Sequence, residues 1–207
     1  MLKVLGRASS INVRKVLWTL DELGAEYTHE AWGTGSLSLR SQEYLALNPN
    51  GLVPVLQHDG FTLWESNSIC RYLASAFGRS DLLPVELRAR FMVEQWMDWQ
   101  ATELNDAWRY AFMGLVRKSG AHQDPAAIRA SLASWDRNMA ILDAALARTG
   151  AYVLGEEFTL ADVVLGLSVH RWQMTPSEKP DLAAVRAYCA LLGQREGFRK
   201  HCSNGTP

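Results

Sequence analysis

The chain begins with a short, largely apolar run, Leu2 to Leu5, that stops at Gly6 and reads as a buried strand. Small polar residues follow. Val13, Val16, Leu17, Leu20 and Leu23 then recur at spacings of three and four, which places them on one face of a helix over 11–24. Gly24 closes that helix as a left-handed C-cap. Residues 25–32 (AEYTHEAW) alternate well enough for a second strand. Strand, helix and strand within the first 32 residues predict an α/β unit.

A polar stretch, GTGSLSLRSQEYLALNPNG, leads to LVPVLQHDGFTLWES, which predicts two strands joined through His58-Asp59-Gly60. Pro54 cannot donate to a sheet ladder, so its place between Val53 and Val55 predicts an edge or a non-repetitive, cis-capable segment. Ile69, Tyr72, Leu73 and Ala76 then repeat as a helix that ends at Gly78. From Leu87 onward the pattern is helical alone, with amphipathic stretches near 87–118, 125–149, 160–172 and 180–192. This shift predicts a first domain over 1–78, a linker over 79–86 and an all-helical domain over 87–207. Thr159 and Asp162 stand at capping-box spacing, and Phe158 and Val163 at the spacing of a hydrophobic staple, which assigns Asp162 to helix entry rather than to catalysis.

Composition narrows the function. With 207 residues, 48% hydrophobic and 21% charged, the chain falls among ordinary globular proteins. Its net charge of −1 offers no basic field for nucleic acid. No apolar run reaches the ~18 residues of a spanning helix and no signal-peptide core develops, so no membrane partner and a cytoplasmic location are expected. Cys70, Cys189 and Cys202 are scattered without a CxxC pair or zinc spacing, so no metal is expected and the thiols read as incidental.

Four segments in this order, SSINVRKVLWTLDELG, NPNGLVPVL, LWESNSICRYLA and FTLADVVLG, resemble the cytosolic glutathione transferases over essentially the whole chain, and in particular the bacterial serine-type, theta- or nu-like members. The resemblance implies a thioredoxin-like α/β N-terminal domain that holds glutathione and an all-α C-terminal domain that shapes a pocket for a small electrophilic second substrate. It implies a homodimer and a role in detoxification. Glutathione is then a co-substrate and no other cofactor is expected. Such a fold also serves as a non-enzymatic binding or assembly module, the alternative to an enzyme.

By position in the motifs, Pro54 matches the family's cis-proline and Val53 the residue whose backbone pairs with the cysteinyl part of glutathione, read as an added strand. Glu65 and Ser66 match the pair for the γ-glutamyl ammonium and carboxylate; from spacing alone they read equally as caps of the helix they precede. A hydroxyl at the start of the first helix stabilises the glutathione thiolate. Ser10 matches that position, Ser9 is its rival, and Asn12 matches an asparagine used in some bacterial relatives. Leu52 stands where many members carry Lys or Gln toward the glycine end, a contact that Arg40 or Gln42 is expected to replace. Trp108, Phe112 and Val116, with Trp172, are the candidate walls of the second-substrate pocket, or else core.

Overall fold

β1 (Leu2–Leu5) lies at the centre of a four-stranded sheet ordered β2-β1-β3-β4. It pairs in parallel with β2 (Tyr27–Glu30) and antiparallel with β3 (Val55–His58), which pairs antiparallel with β4 (Phe61–Trp64). The parallel pair needs a crossover, and α1 (Ile11–Leu23) supplies it. The computed structural model describes all residues except 203, 204 and 206, and divides the chain into two units, Met1–Leu83 and Pro84–Pro207.

In the first unit, Val13, Val16, Leu17 and Leu20 are buried as their spacing requires, and Gly24 ends α1 with φ 63° and its N–H on the Asp21 carbonyl. The β3–β4 turn carries Asp59 at φ 48° and Gly60 at φ 86°, the two positive angles of the hairpin turn that matches strand twist. α3 (Ser66–Ala76) packs on α1 through buried Ile69, Cys70 and Leu73. The polar stretch after β2 is not all loop. It holds α2 (Gln42–Leu47), capped by Ser41, whose hydroxyl accepts from the Tyr44 N–H at 3.2 Å.

The second unit is helical: α4 (Leu87–Trp99), α5 (Asn105–Leu115), α6 (Pro125–Thr149), α7 (Leu160–Met174), α8 (Ala183–Leu192) and α9 (Glu196–His201). A π-helical turn, Gln100–Leu104, joins α4 to α5 without a loop, so the long stretch expected from residue 87 is continuous to Leu115. α6 starts with Pro125 behind the cap Asp124 and ends at Gly150 in the left-handed region. α8 begins at Ala183 rather than 180, because Pro180 precedes it and Asp143 of α6 accepts from the Val185 N–H at 2.8 Å. α7 is buried on every side from Leu160 to Trp172, the expected state of a helix without a polar face. No helix among the described residues is long and apolar enough to cross a membrane.

Candidate active site

Three local features of the first unit converge on one cleft. The first is the start of α1. Ser10 occupies the N-cap position with extended backbone, yet its hydroxyl makes no capping hydrogen bond; its carbonyl accepts from Arg14 N–H at 3.1 Å. Asn12 follows at the second helical position, half-buried.

The second feature is the segment before β3. The Val53-Pro54 peptide is cis. Its approach is pinned by two donors on one acceptor: Tyr44 Oη at 2.7 Å and Asn48 Nδ2 at 2.8 Å both donate to the Leu52 carbonyl. Asn48 Oδ1 in turn accepts from the Asn50 N–H at 3.1 Å and from Asn50 Nδ2 at 3.0 Å. Tyr44 is buried against Trp32, with Leu5 and Val55 in the same cluster, and burial pushes its phenol up to about 12. It therefore stays a neutral donor. On the other side, Gly6 at φ 146° admits the segment: a Cβ there would sit 2.8 Å from Val53 Cβ and 2.7 Å from Val13 Cγ2.

The third feature is the start of α3. Glu65 lies at φ 73°, ψ 109°, a conformation that costs a non-glycine residue ~1–3 kcal/mol. It is exposed and its carboxylate makes no capping hydrogen bond. The structure thus assigns it no capping role by side chain, although its carbonyl receives the Ile69 N–H at 2.9 Å. Ser66, the first helical residue, is 6% exposed.

Asn12, Val53, Pro54, Glu65 and Ser66 line a single cleft of about 310 Å³, open solvent included, together with Asn48, Asn50 and Leu52. Ser9 and Ser10 lie just before Asn12 in the turn that enters α1. Arg40 is exposed and its guanidinium lies over the Gly51 backbone, where a Cβ would meet Nη1 at 2.9 Å; Gln42 opens α2 and is exposed. Leu52 is 61% exposed at the rim. The supporting roles of Tyr44 and Asn48 were not foreseen from the sequence. The available signal was the Asn-Pro-Asn-Gly run before the apolar strand, a turn whose side chains hold backbone.

The remaining candidates lie in the second unit. Trp108 and Phe112 are buried on α5 and stack edge to face at 5.3 Å. Arg171 of α7 covers both rings, at 4.6 Å and 4.1 Å from their centroids. Val116 follows α5 half-buried. Trp172 is buried, and its Nε1 donates to Asp136 at 2.8 Å. Capping at Thr159 and Asp162 is present, with Asp162 Oδ2 accepting from the Thr159 N–H at 2.9 Å. Cys70 is fully buried and burial pushes its thiol up to about 11, so it is no nucleophile at neutral pH. No cluster of three or more His, Cys, Asp or Glu suited to a metal occurs among the described residues.

A β2-β1-β3-β4 sheet with a cis-proline ahead of β3, joined to a helical unit, defines a thioredoxin-like protein with a cleft at that proline. Residues 9–76 match the glutathione S-transferase N-terminal domain and residues 125–191 its C-terminal domain. The chain is 37% identical over 205 residues to glutathione S-transferase GstB of Escherichia coli, covering 97% of each chain. It is 30% identical to glutathione S-transferase 3 of Zea mays, covering 96% of this chain and 92% of that one. Its fold superposes with a TM-score of 0.90 on the theta class glutathione S-transferase from Xanthomonas axonopodis pv. citri with glutathione bound, at 37% identity over 97% and 96% of the two chains. The chain belongs to the glutathione S-transferase family.

Proposed function

We propose that the cleft binds glutathione and that the start of α1 stabilises its thiolate for attack on a small electrophile or a disulfide. The observation that carries this reading is the convergence of Asn12, Val53, cis-Pro54, Glu65 and Ser66 on one cleft. The Val53 backbone pairs with the cysteinyl part, Glu65 meets the γ-glutamyl ammonium, and Ser66 with the α3 amides meets its carboxylate. Arg40, held over Gly51, takes the glycine carboxylate that Leu52 cannot. In the reaction the thiol proton leaves to solvent, the sulfur lone pair forms the new bond to carbon or sulfur, and the leaving group departs with the electrons of the bond that breaks.

Ser10 is the principal thiolate donor, because its hydroxyl is not committed to the helix it caps. A serine hydroxyl is too weak a base to remove the proton, so its contribution is a lowered thiol pKa. The helical unit shapes the site for the second substrate, and the protein works as a homodimer in the cytoplasm, where glutathione is kept reduced. Exposed Leu87 and Phe91, four apart on α4, support an apolar contact between copies.

The test is the pH dependence of bound-thiolate absorbance and of turnover. Ser10→Ala raises the glutathione pKa by about one to two units and lowers kcat/KM below neutral pH about 10- to 100-fold, with little change in affinity. If Ser9→Ala or Asn12→Ala shows this shift and Ser10→Ala does not, the donor moves to that residue. If wild-type protein binds no glutathione at millimolar concentration, the chain is a binding or assembly module instead.

A further inference from the structure

A buried polar contact at the start of α3, one residue past the cleft-lining Ser66, has no part in the functions assigned above. Lys15, the fifth residue of α1, is 1% exposed, and its Nζ donates to Oδ1 of Asn67 at 3.1 Å. Asn67, 8% exposed, is the second residue of α3 and follows Ser66. β1 and β4 both run antiparallel to β3, and α1 and α3 each follow one of them and pack together, so the two helices run in the same direction and begin at the same end of the unit. That end gathers the partial positive charge of two helix starts and, behind them, a buried ammonium.

An ammonium near a helix start is opposed by the macrodipole, and its burial sacrifices hydration. An anion bound at that end is attracted by both the helix starts and the ammonium, which offsets these costs. The hydrogen bond also fixes which way the Asn67 amide faces: with Oδ1 toward Lys15, the remaining group, Nδ2, can only donate.

We propose that Lys15 is a positioning residue for the α-carboxylate of the γ-glutamyl group. Acting through Asn67, it orients a donor at the start of α3 and adds cationic field, so that the site selects thiol peptides with that carboxylate over those without it. The inference rests on the glutathione reading above.

The experiment compares calorimetric affinities for glutathione and for 4-aminobutyryl-cysteinylglycine, the same peptide without the α-carboxylate, with thermal melting alongside. Lys15→Met should weaken glutathione binding on the order of tenfold and leave the decarboxylated peptide within about twofold, while Lys15→Arg restores most of the preference. Lys15→Gln keeps a donor toward Asn67 Oδ1 without the charge, and should lose the same preference; it decides the matter if Lys15→Met does not fold. Equal losses for both peptides, or no loss for either, overturn the role of Lys15 and leave the glutathione site intact. Failure of the wild-type protein to bind either peptide overturns both.

Discussion

The starts of α3 and α7 each carry a carboxylate, and the two carboxylates are used in opposite ways. At α7, Asp162 is 0% exposed and its two oxygens accept from the Val153 N–H, the Thr159 N–H, the Thr159 hydroxyl and the Tyr188 hydroxyl at 2.9–3.1 Å. Every donor in reach is satisfied from within the chain. At α3, Glu65 is exposed, makes no capping bond and sits at φ 73°. A helix start that closes on itself anchors a fold, whereas one left open, at a cost in backbone strain, is available to a ligand.

The largest effect is expected at the closed start. Asp162→Ala removes the acceptor of four buried donors and should cost about 3–5 kcal/mol, read as a lowered denaturant midpoint. Glutathione KM of the protein that remains folded should stay near wild type. A normal midpoint with lost turnover would make Asp162 a functional residue and erase the contrast.

The open start should give the converse. Glu65→Gly relieves the positive φ, so stability should hold or rise by about 1 kcal/mol, while glutathione affinity falls well over tenfold, the ~2–5 kcal/mol of a broken charge pair. Paired melting and calorimetric titration read both. If Glu65→Gly melts markedly lower with affinity unchanged, Glu65 is structural after all.

These two starts also mark how far the sequence was legible. Spacing exposed the capping box because its logic is local: residues 159 and 162 bond each other. The helices α1, α3, α6 and α7 were equally readable, since a buried stripe at helical period spans several turns. α2 and α9 were not, because six residues are too few for a period and such short helices form through packing, here around Tyr44 and Phe198. In the site, Pro54 declared itself, but the positive φ of Glu65 did not, since nothing in a glutamate marks a conformation that glycine ordinarily signals. Tyr44 and Asn48 support the cleft through a backbone carbonyl, a contact that leaves no pattern in side chains. Lys15 falls on the buried face of α1 because of its partner on α3, which no local rule supplies.

Beneath the open start, Cys70 gives a pH-dependent measure of how tightly α3 is held. Burial raises its thiol from an ordinary 9.0 to about 11. A folded-state value above the unfolded one means that the contribution is fully present below about pH 9 and is lost as pH rises through about 11. Two units correspond to about 2–3 kcal/mol. Stability measured across that window should fall less steeply in Cys70→Ala than in wild type; parallel curves would show that the thiol is hydrated and the α1–α3 contact looser than the structure has it.

The smallest expected effects compare two hydroxyls at helix starts. Thr159 donates to Asp162 at 3.1 Å inside a closed cap, so Thr159→Ala should cost about 1 kcal/mol and leave glutathione KM unchanged. Ser10 holds the same position on α1, but its hydroxyl caps nothing. Ser10→Ala should therefore cost less than about 0.5 kcal/mol, below the usual loss for removing a capping serine, even as it raises the pKa of bound glutathione. Denaturant midpoints of the two variants, measured without ligand, separate the cases. A loss near 1 kcal/mol for Ser10→Ala would show that its hydroxyl turns back onto α1 in the free protein, and that glutathione must compete with the helix for the very donor that activates it.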